Sequence, residues 1–197
     1  MNHWSFFLIA MLCSYLLGSI SFSYILVKQL KKVDIRDHGS GNAGATNTLR
    51  VLGKGPATIV LLLDALKGAL AVILTLWMTD NPTWSILGGI LAIIGHNWPI
   101  FFGFRGGKGI ATTIGASFVI AWQAALVASV VAILVILLFR YVSLGSLLYT
   151  ITLSLMIFIL HIGPPSYFWM SLLIVLLALF QHRQNMIQLF QGKERKI

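Results

Sequence analysis

Acidic residues are scarce: the 197-residue chain holds five Asp and Glu against fourteen Lys and Arg, and only 10% of its residues are charged. A soluble domain carries about 25% charged residues. Too little polar surface remains to face water, which excludes an ordinary soluble globular fold. Cysteine is nearly absent as well. The lone Cys13, set in an apolar stretch, allows no intrachain disulfide and no redox motif. The few carboxylates form no cluster that suggests a metal. The apolar N-terminal segment has no basic stretch before it and no convincing small-residue cleavage site, so it reads as a retained first span and not a signal peptide.

What is present is apolar. Hydrophobic residues make up 58% of the chain, and the run from Tyr141 to His182 contains no Asp, Glu, Lys or Arg. A spanning helix needs about 20 such residues. The net charge of +9 would point to nucleic acid in a soluble protein. Here the positive-inside rule accounts for much of it, and no nucleic-acid partner is expected.

The basic residues gather in four clusters, at Lys28–Lys54, at Arg105 and Lys108, at Arg140, and at Arg183–Lys196; only Lys67 lies within an apolar stretch. Placing every cluster on the cytoplasmic side makes each intervening apolar stretch cross the membrane an even number of times. The stretch from Gly55 to Phe104 divides at Asp80-Asn81-Pro82, that from Gly109 to Phe139 near Trp122-Gln123, and that from Tyr141 to His182 at Gly163-Pro164-Pro165. With a first span over about Trp4 to Val27, seven spans result, with the N-terminus outside and the C-terminus inside. The continuous apolar runs lack the alternation of barrel strands. The expectation is an all-α polytopic transmembrane bundle forming a single domain over residues 1–197.

Three segments on the basic side are unusually polar or Gly-rich. The first, Gly39-Ser40-Gly41-Asn42-Ala43-Gly44-Ala45-Thr46-Asn47 with Arg50 after it, combines turn-forming glycines, short donors and a guanidinium that can fork onto a phosphate. It is either a phosphate site or a flexible loop. The second runs from His96-Asn97-Trp98-Pro99 to Arg105-Gly106-Gly107-Lys108-Gly109. A Gly-Gly-Lys-Gly turn opening a helix offers N–H groups, the positive end of a dipole and an ammonium; the bland alternative is a snorkelling Arg/Lys pair. It is not a Walker A loop, because Phe102 and Gly109 stand where a Gly and a Ser or Thr are required. The third is His182-Arg183-Gln184-Asn185, where His182 and Asn185 share a face if the helix continues.

Two further features are left open. Asp64 and Lys67 lie inside the second span, where either charge alone would cost about 2.5–3.5 kcal/mol. They form a structural pair or serve the site. Ser143 and Ser146 either cap the sixth span or reach the site.

Together the stretches GSGNAGATNTLR (Gly39 to Arg50), HNWPIFFGFRGGKGIATTIG (His96 to Gly115) and HRQNMIQLFQGKE (His182 to Glu194) resemble the bacterial acyl-phosphate-dependent glycerol-3-phosphate acyltransferases, the PlsY family. The resemblance extends to the length, the seven spans and Asp64-x-x-Lys67-Gly68. Ala43 stands where the family often has Pro, and Gln188 where a basic residue is common.

The resemblance implies transfer of a fatty acyl group from acyl phosphate to the sn-1 hydroxyl of glycerol 3-phosphate, with no cofactor and no CoA or acyl carrier protein. The setting is the bacterial plasma membrane, with the active site facing the cytoplasm, and the oligomeric state is left open. It points to Ser40, Arg50, Lys108, His182 and Asn185 as catalytic, with Gly41, Asn42, Thr46, Asn47, Gly106, Gly107 and Ser146 binding substrate. Either His182 or a substrate phosphate oxygen takes the hydroxyl proton. No His has an Asp five residues on, since Leu8, Ala43, Phe101, Ser166 and Ile187 fill those positions; this argues against the His-x-x-x-x-Asp acyl-CoA enzymes. From the residues alone, a transporter of organic phosphates or a scaffold binding anionic headgroups uses the same basic groups.

Overall fold

The computed structural model describes residues 3–197, and among them every regular element is helical. The chain divides into two compact units, Met1–Val119 and Ile120–Ile197.

In the first unit, α1 (His3–Gly18) and α2 (Phe22–Lys31) make up the first apolar segment, interrupted at residues 19–21. Ser21 turns the chain into α2 by accepting a hydrogen bond from the Tyr24 N–H at 3.4 Å. Lys32, left-handed at φ 61°, ends it. A 3-10 turn (Ile35–Asp37) leads to α3 (Ala45–Leu52), then to α4 (Lys54–Thr79) and α5 (Pro82–Asn97). The α4–α5 corner follows from its residues. Asp80 adopts φ 47°, and Asn81 accepts hydrogen bonds from the Thr83 and Trp84 N–H groups at 3.0 and 3.1 Å, with Pro82 opening the helix. A second 3-10 turn (Ile100–Phe102) and an extended stretch lead to α6 (Ile110–Ile120).

Helices α1, α4 and α5 pack against one another, with α2 and α3 on α4. Lipid tails are as apolar as leucine, so association in a membrane depends on close backbone approach and interhelical hydrogen bonds. Both are present. Gly68 faces the Thr112 backbone and Gly115 faces that of Ala65, so α4 and α6 meet through glycine on each side. Ser14 and Thr75 share a hydrogen bond at 3.1 Å between α1 and α4, as do Ser23 and Thr48 at 2.8 Å between α2 and α3.

The second unit consists of α7 (Trp122–Phe139), α8 (Val142–Ile159), α9 (Ser166–Gln181) and α10 (Arg183–Phe190). Helix α7 buries Ala124, Ala125, Ala128 and Ala132 and leaves Ile133, Leu134, Leu137 and Leu138 exposed. It packs on α8, where a Cβ on Gly145 would come within 2.9 Å of the Ala132 carbonyl. Helix α8 meets α9 through a Ser154–Ser171 hydrogen bond at 2.7 Å. An apolar exterior around a small-residue interior suits hydrocarbon as solvent.

Five segments are long and apolar enough to cross a membrane: His3–Lys31, Lys54–Thr79, Pro82–Phe102, Trp122–Phe139 and Val142–Ile159. Helices α9 and α10, bent by 62° at His182, make a sixth if taken together. Helix α6 has 11 residues, or about 16 Å at 1.5 Å per residue, roughly half the hydrocarbon thickness. The break expected near Trp122-Gln123 falls at Ala121, between α6 and α7. Seven apolar helical segments therefore lie where the sequence puts seven spans, and length and composition qualify five or six of them.

Candidate active site

The loop before α3 is held by one side chain. Asn47, buried at 1% exposure, accepts the Ser40 N–H on Oδ1 at 2.9 Å. Its Nδ2 donates to the carbonyls of Ile35, His38 and Asn42 at 3.1, 2.9 and 2.9 Å. An amide has two acceptor lone pairs and two donors, and nearly all are spent on this loop. Asn47, expected to bind substrate, thus builds the loop that presents Ser40, Gly41 and Asn42. Ser40, Gly41 and Arg50 are exposed, and Asn42 and Thr46 half-buried. Arg50 rides in the last turn of α3.

This loop docks on the glycine turn. The Ala43 N–H donates to the Gly106 carbonyl at 3.2 Å, while the N–H groups of Gly106 and Gly107 donate to the carbonyls of Asn97 and His96 at 3.2 and 3.1 Å. The expectation that these glycine N–H groups await an anion needs correction, because the end of α5 has taken them. Gly107 is required for a different reason. A Cβ there would collide with His96 Nε2 and lie 2.7 Å from the Ala43 carbonyl. Gly109 carries the left-handed bend into α6 at φ 80°. The first N–H groups of α6, which lack intrahelical partners by geometry, remain as the dipole end beside the half-buried Lys108.

Arg36 clamps this region. Its guanidinium donates to both oxygens of Asp34, with Nη2 2.6 Å from Oδ2, and Nη1 donates to the Phe102 carbonyl at 2.6 Å. It also lies 5.0 Å from the centroid of the Tyr24 ring, which packs on Phe102. The hydrogen bond from Arg36 holds the Asp34 carboxyl below its usual range, and Asp34 in turn raises Arg36. Ser40, Gly41, Asn42, Thr46 and Arg50 therefore share one loop and helix, tied by backbone to the Gly106-Gly107-Lys108 turn.

Deeper in this unit, Asp64 and Lys67 pair at 2.8 Å, both 1% exposed. Lys67 Nζ also donates to the Ile20 carbonyl at 2.6 Å. The interruption of the first segment frees that carbonyl, because Tyr24 N–H turns to Ser21 instead. The pair that the sequence left open has a structural duty at the break.

In the second unit, His182 occupies the hinge between α9 and α10 and is 2% exposed. Its Nδ1 lies 2.8 Å from the Ala178 carbonyl. A carbonyl can only accept, so Nδ1 carries the proton and Nε2 is the basic nitrogen. Asn185 Nδ2 donates to Glu194 Oε1 at 2.8 Å, and Ser143 Oγ donates to the same oxygen at 2.6 Å. Ser143 and Ser146 do not cap α8, whose N-cap position is Tyr141. Ser146 lies buried one turn further along. Sequence reasoning passed over Glu194; its signal was being the only Glu in the chain, placed in the third motif. Among the described residues no three His, Cys, Asp or Glu side chains gather as metal ligands.

A helical chain with an apolar exterior and two polar loops docked on each other is of the class of integral membrane proteins. The family model described as glycerol-3-phosphate acyltransferase matches residues 8–192, and the chain belongs to that family. It is 54% identical to the glycerol-3-phosphate acyltransferase of Halalkalibacterium halodurans over 93% of this chain and 92% of that one. Against the enzyme of Shouchella clausii it is 52% identical, over 94% and 93%. A crystal structure of PlsY (YgiH), an integral membrane glycerol 3-phosphate acyltransferase in its glycerol 3-phosphate form, superimposes with a TM-score of 0.91 at 37% identity, covering 97% of this chain and 95% of that one. The lysophosphatidic acid form of PlsY gives a TM-score of 0.89 at 35% identity.

Proposed function

We propose that the protein transfers a fatty acyl group from acyl phosphate to the sn-1 hydroxyl of glycerol 3-phosphate. The hydroxyl oxygen bonds to the acyl carbon, the acyl–phosphate C–O bond breaks, and lysophosphatidic acid and inorganic phosphate leave. Neither CoA nor acyl carrier protein takes part. The observation that carries this reading is the Ala43-to-Gly106 backbone bond, which ties the Ser40 loop to the Lys108 turn in a member of this family.

The parts divide by charge. Arg50 and Lys108 neutralise phosphate groups and stabilise the charge that grows on the departing phosphate. Ser40, Gly41, Asn42 and Thr46 hold acyl phosphate, and the Gly106-Gly107 turn borders glycerol 3-phosphate. From the second unit, His182 and Asn185 act on the attacking hydroxyl and Ser146 contacts substrate. The Nε2 lone pair of His182 accepts the proton, since Nδ1 already carries one and imidazole is the commonest general base. A single membrane-embedded acyltransferase domain spans residues 1–197.

The chain crosses a bacterial plasma membrane seven times, α6 being the shortest crossing, with the N-terminus outside and the basic loops in the cytoplasm. Cysteine accessibility at Ser40 and Asn81 reads this orientation; labelling of both from the same side would sink it.

The deciding assay mixes purified protein with acyl phosphate and radiolabelled glycerol 3-phosphate without CoA. Labelled lysophosphatidate with stoichiometric phosphate is the expected product. Binding or transport of glycerol 3-phosphate with no acylated product would overturn the proposal.

A further inference from the structure

Three buried side chains of the first unit have no part in the scheme above. Asp64 and Lys67 lie one turn apart on α4 and pair at 2.8 Å. His96, on the last turn of α5, brings Nδ1 to 3.5 Å from the same Asp64 oxygen. The other edge of its ring lies against Gly107, where a Cβ would collide with Nε2. The His96 carbonyl also accepts the Gly107 N–H at 3.1 Å. Ring and carbonyl of one residue thus bracket the glycine that precedes Lys108.

The Asp64–His96 contact is electrostatic and longer than a hydrogen bond, and a carboxylate in that position favours the ring orientation that turns a protonated nitrogen towards it. Asp64 is itself held by Lys67, whose Nζ also donates to the Ile20 carbonyl. Sealing the break in the first segment requires only the Lys67–Ile20 bond. It does not require Asp64 to face a second polar group on another helix, at the foot of the turn. Burying a charge pair in a membrane is costly when apolar residues could fill the space, and a duty beyond packing accounts for it.

We infer that Lys67, Asp64 and His96 form a positioning relay that fixes the Gly106-Gly107-Lys108 turn and so sets the affinity for the phosphate of glycerol 3-phosphate. None of the three touches substrate. The inference rests on the acyltransferase reading for the identity of the bound phosphate.

The test uses full-length protein in detergent, checked for monodispersity and melting temperature. Two readouts are taken, steady-state kinetics and equilibrium dialysis of radiolabelled glycerol 3-phosphate. Asp64→Asn is expected to raise both KM and Kd for glycerol 3-phosphate about tenfold while kcat and the KM for acyl phosphate stay within about threefold. His96→Gln, which keeps a polar group near the Nε2 position but cannot be oriented through Nδ1, should raise Kd similarly. In that background, Asp64→Asn should add less than about twofold. Where Asp64→Asn does not survive purification, the neutral pair Asp64→Asn with Lys67→Gln replaces it.

Wild-type Kd in folded His96→Gln, or a full Asp64→Asn effect repeated in the His96→Gln background, overturns the relay. Because dialysis reads binding alone, wild-type protein that binds but fails to acylate defeats the acyltransferase reading and leaves the relay to be judged by Kd. Wild-type protein that does not bind glycerol 3-phosphate defeats both.

Discussion

The Nδ1–H of His182 donates to the carbonyl of Ala178 at 2.8 Å, one turn back on α9. The helix bends by 62° at this residue, and the contact settles which ring nitrogen is basic. The Ala178 carbonyl accepts the His182 backbone N–H as well, at 2.9 Å, so ring and backbone of one residue share a single acceptor.

His182→Ala is therefore expected to lower kcat about 10²–10⁴-fold, the usual worth of a positioned general base, with little change in either KM. Steady-state kinetics decides it. An unchanged kcat would move the proton to a substrate phosphate oxygen.

Asn47→Ala removes the hub of the Ser40 loop and takes away the partner of the Ser40 N–H and of the Asn42 carbonyl. Each such orphan costs about 1–3 kcal/mol, so a clear fall in melting temperature is expected along with lost activity. Asn47→Asp, which keeps the acceptor but has no donor, should behave nearly as badly. Thermal unfolding monitored by the six tryptophans reads both.

Lys67→Met strands the Asp64 carboxylate and the Ile20 carbonyl in a buried site. Breaking one half of a buried pair costs about 3–5 kcal/mol. Asp64→Leu with Lys67→Met removes both charges and should recover much of that stability. A double variant no more stable than Lys67→Met would show that the charges are not compensating one another.

Gly107→Ala pushes a methyl into His96 Nε2 and the Ala43 carbonyl. The turn must shift away from the Ser40 loop, and a displacement of about 1 Å can cost roughly 100-fold in rate. The expected result is a large loss in kcat/KM for glycerol 3-phosphate with the fold retained. Wild-type kinetics would mean that the two loops need not stay docked.

The Asp34–Arg36 clamp should fail in acid. Its carboxyl sits below the ordinary value of 3.8 because Arg36 donates to it. A depressed folded-state value means that the stabilisation is complete above the unfolded value and is lost as pH falls through the folded one. Proteolysis of the loop at residues 32–44 should rise over that acidic window in the native chain. In Asp34→Asn it should be fast at neutral pH as well.

Much of the site was legible because polar residues are so few. In an apolar chain, a run such as Gly39 to Asn47 has no packing role that leucine would not fill better, so its chemistry stands out. The corner at Asp80-Asn81-Pro82 was equally plain, being built from residues that cap and break helices. Gly106 and Gly107 were read for the wrong reason. Composition reveals a glycine's N–H but not that the carbonyls of His96 and Asn97 already hold it. Ser143 looked like a cap for α8 and instead donates to Glu194, 51 residues away. The interruption at residues 19–21 left no signal, because no proline marks it and serines are tolerated in spanning helices. Asp64 and Lys67 were visible as a pair, but their third partner is a backbone carbonyl, which no sequence pattern can advertise.

That carbonyl has a consequence for how the protein is made. Ile20 and Lys67 leave the ribosome 47 residues apart. The opening in the first helix therefore has no ammonium to close it until α4 arrives. Until then the cheaper state in lipid is an unbroken helix, and the ammonium of Lys67 has nowhere dry to go without that opening. The two segments must complete each other on insertion, which makes the N-terminal hairpin, rather than any single helix, the smallest piece of this chain at home in a bilayer.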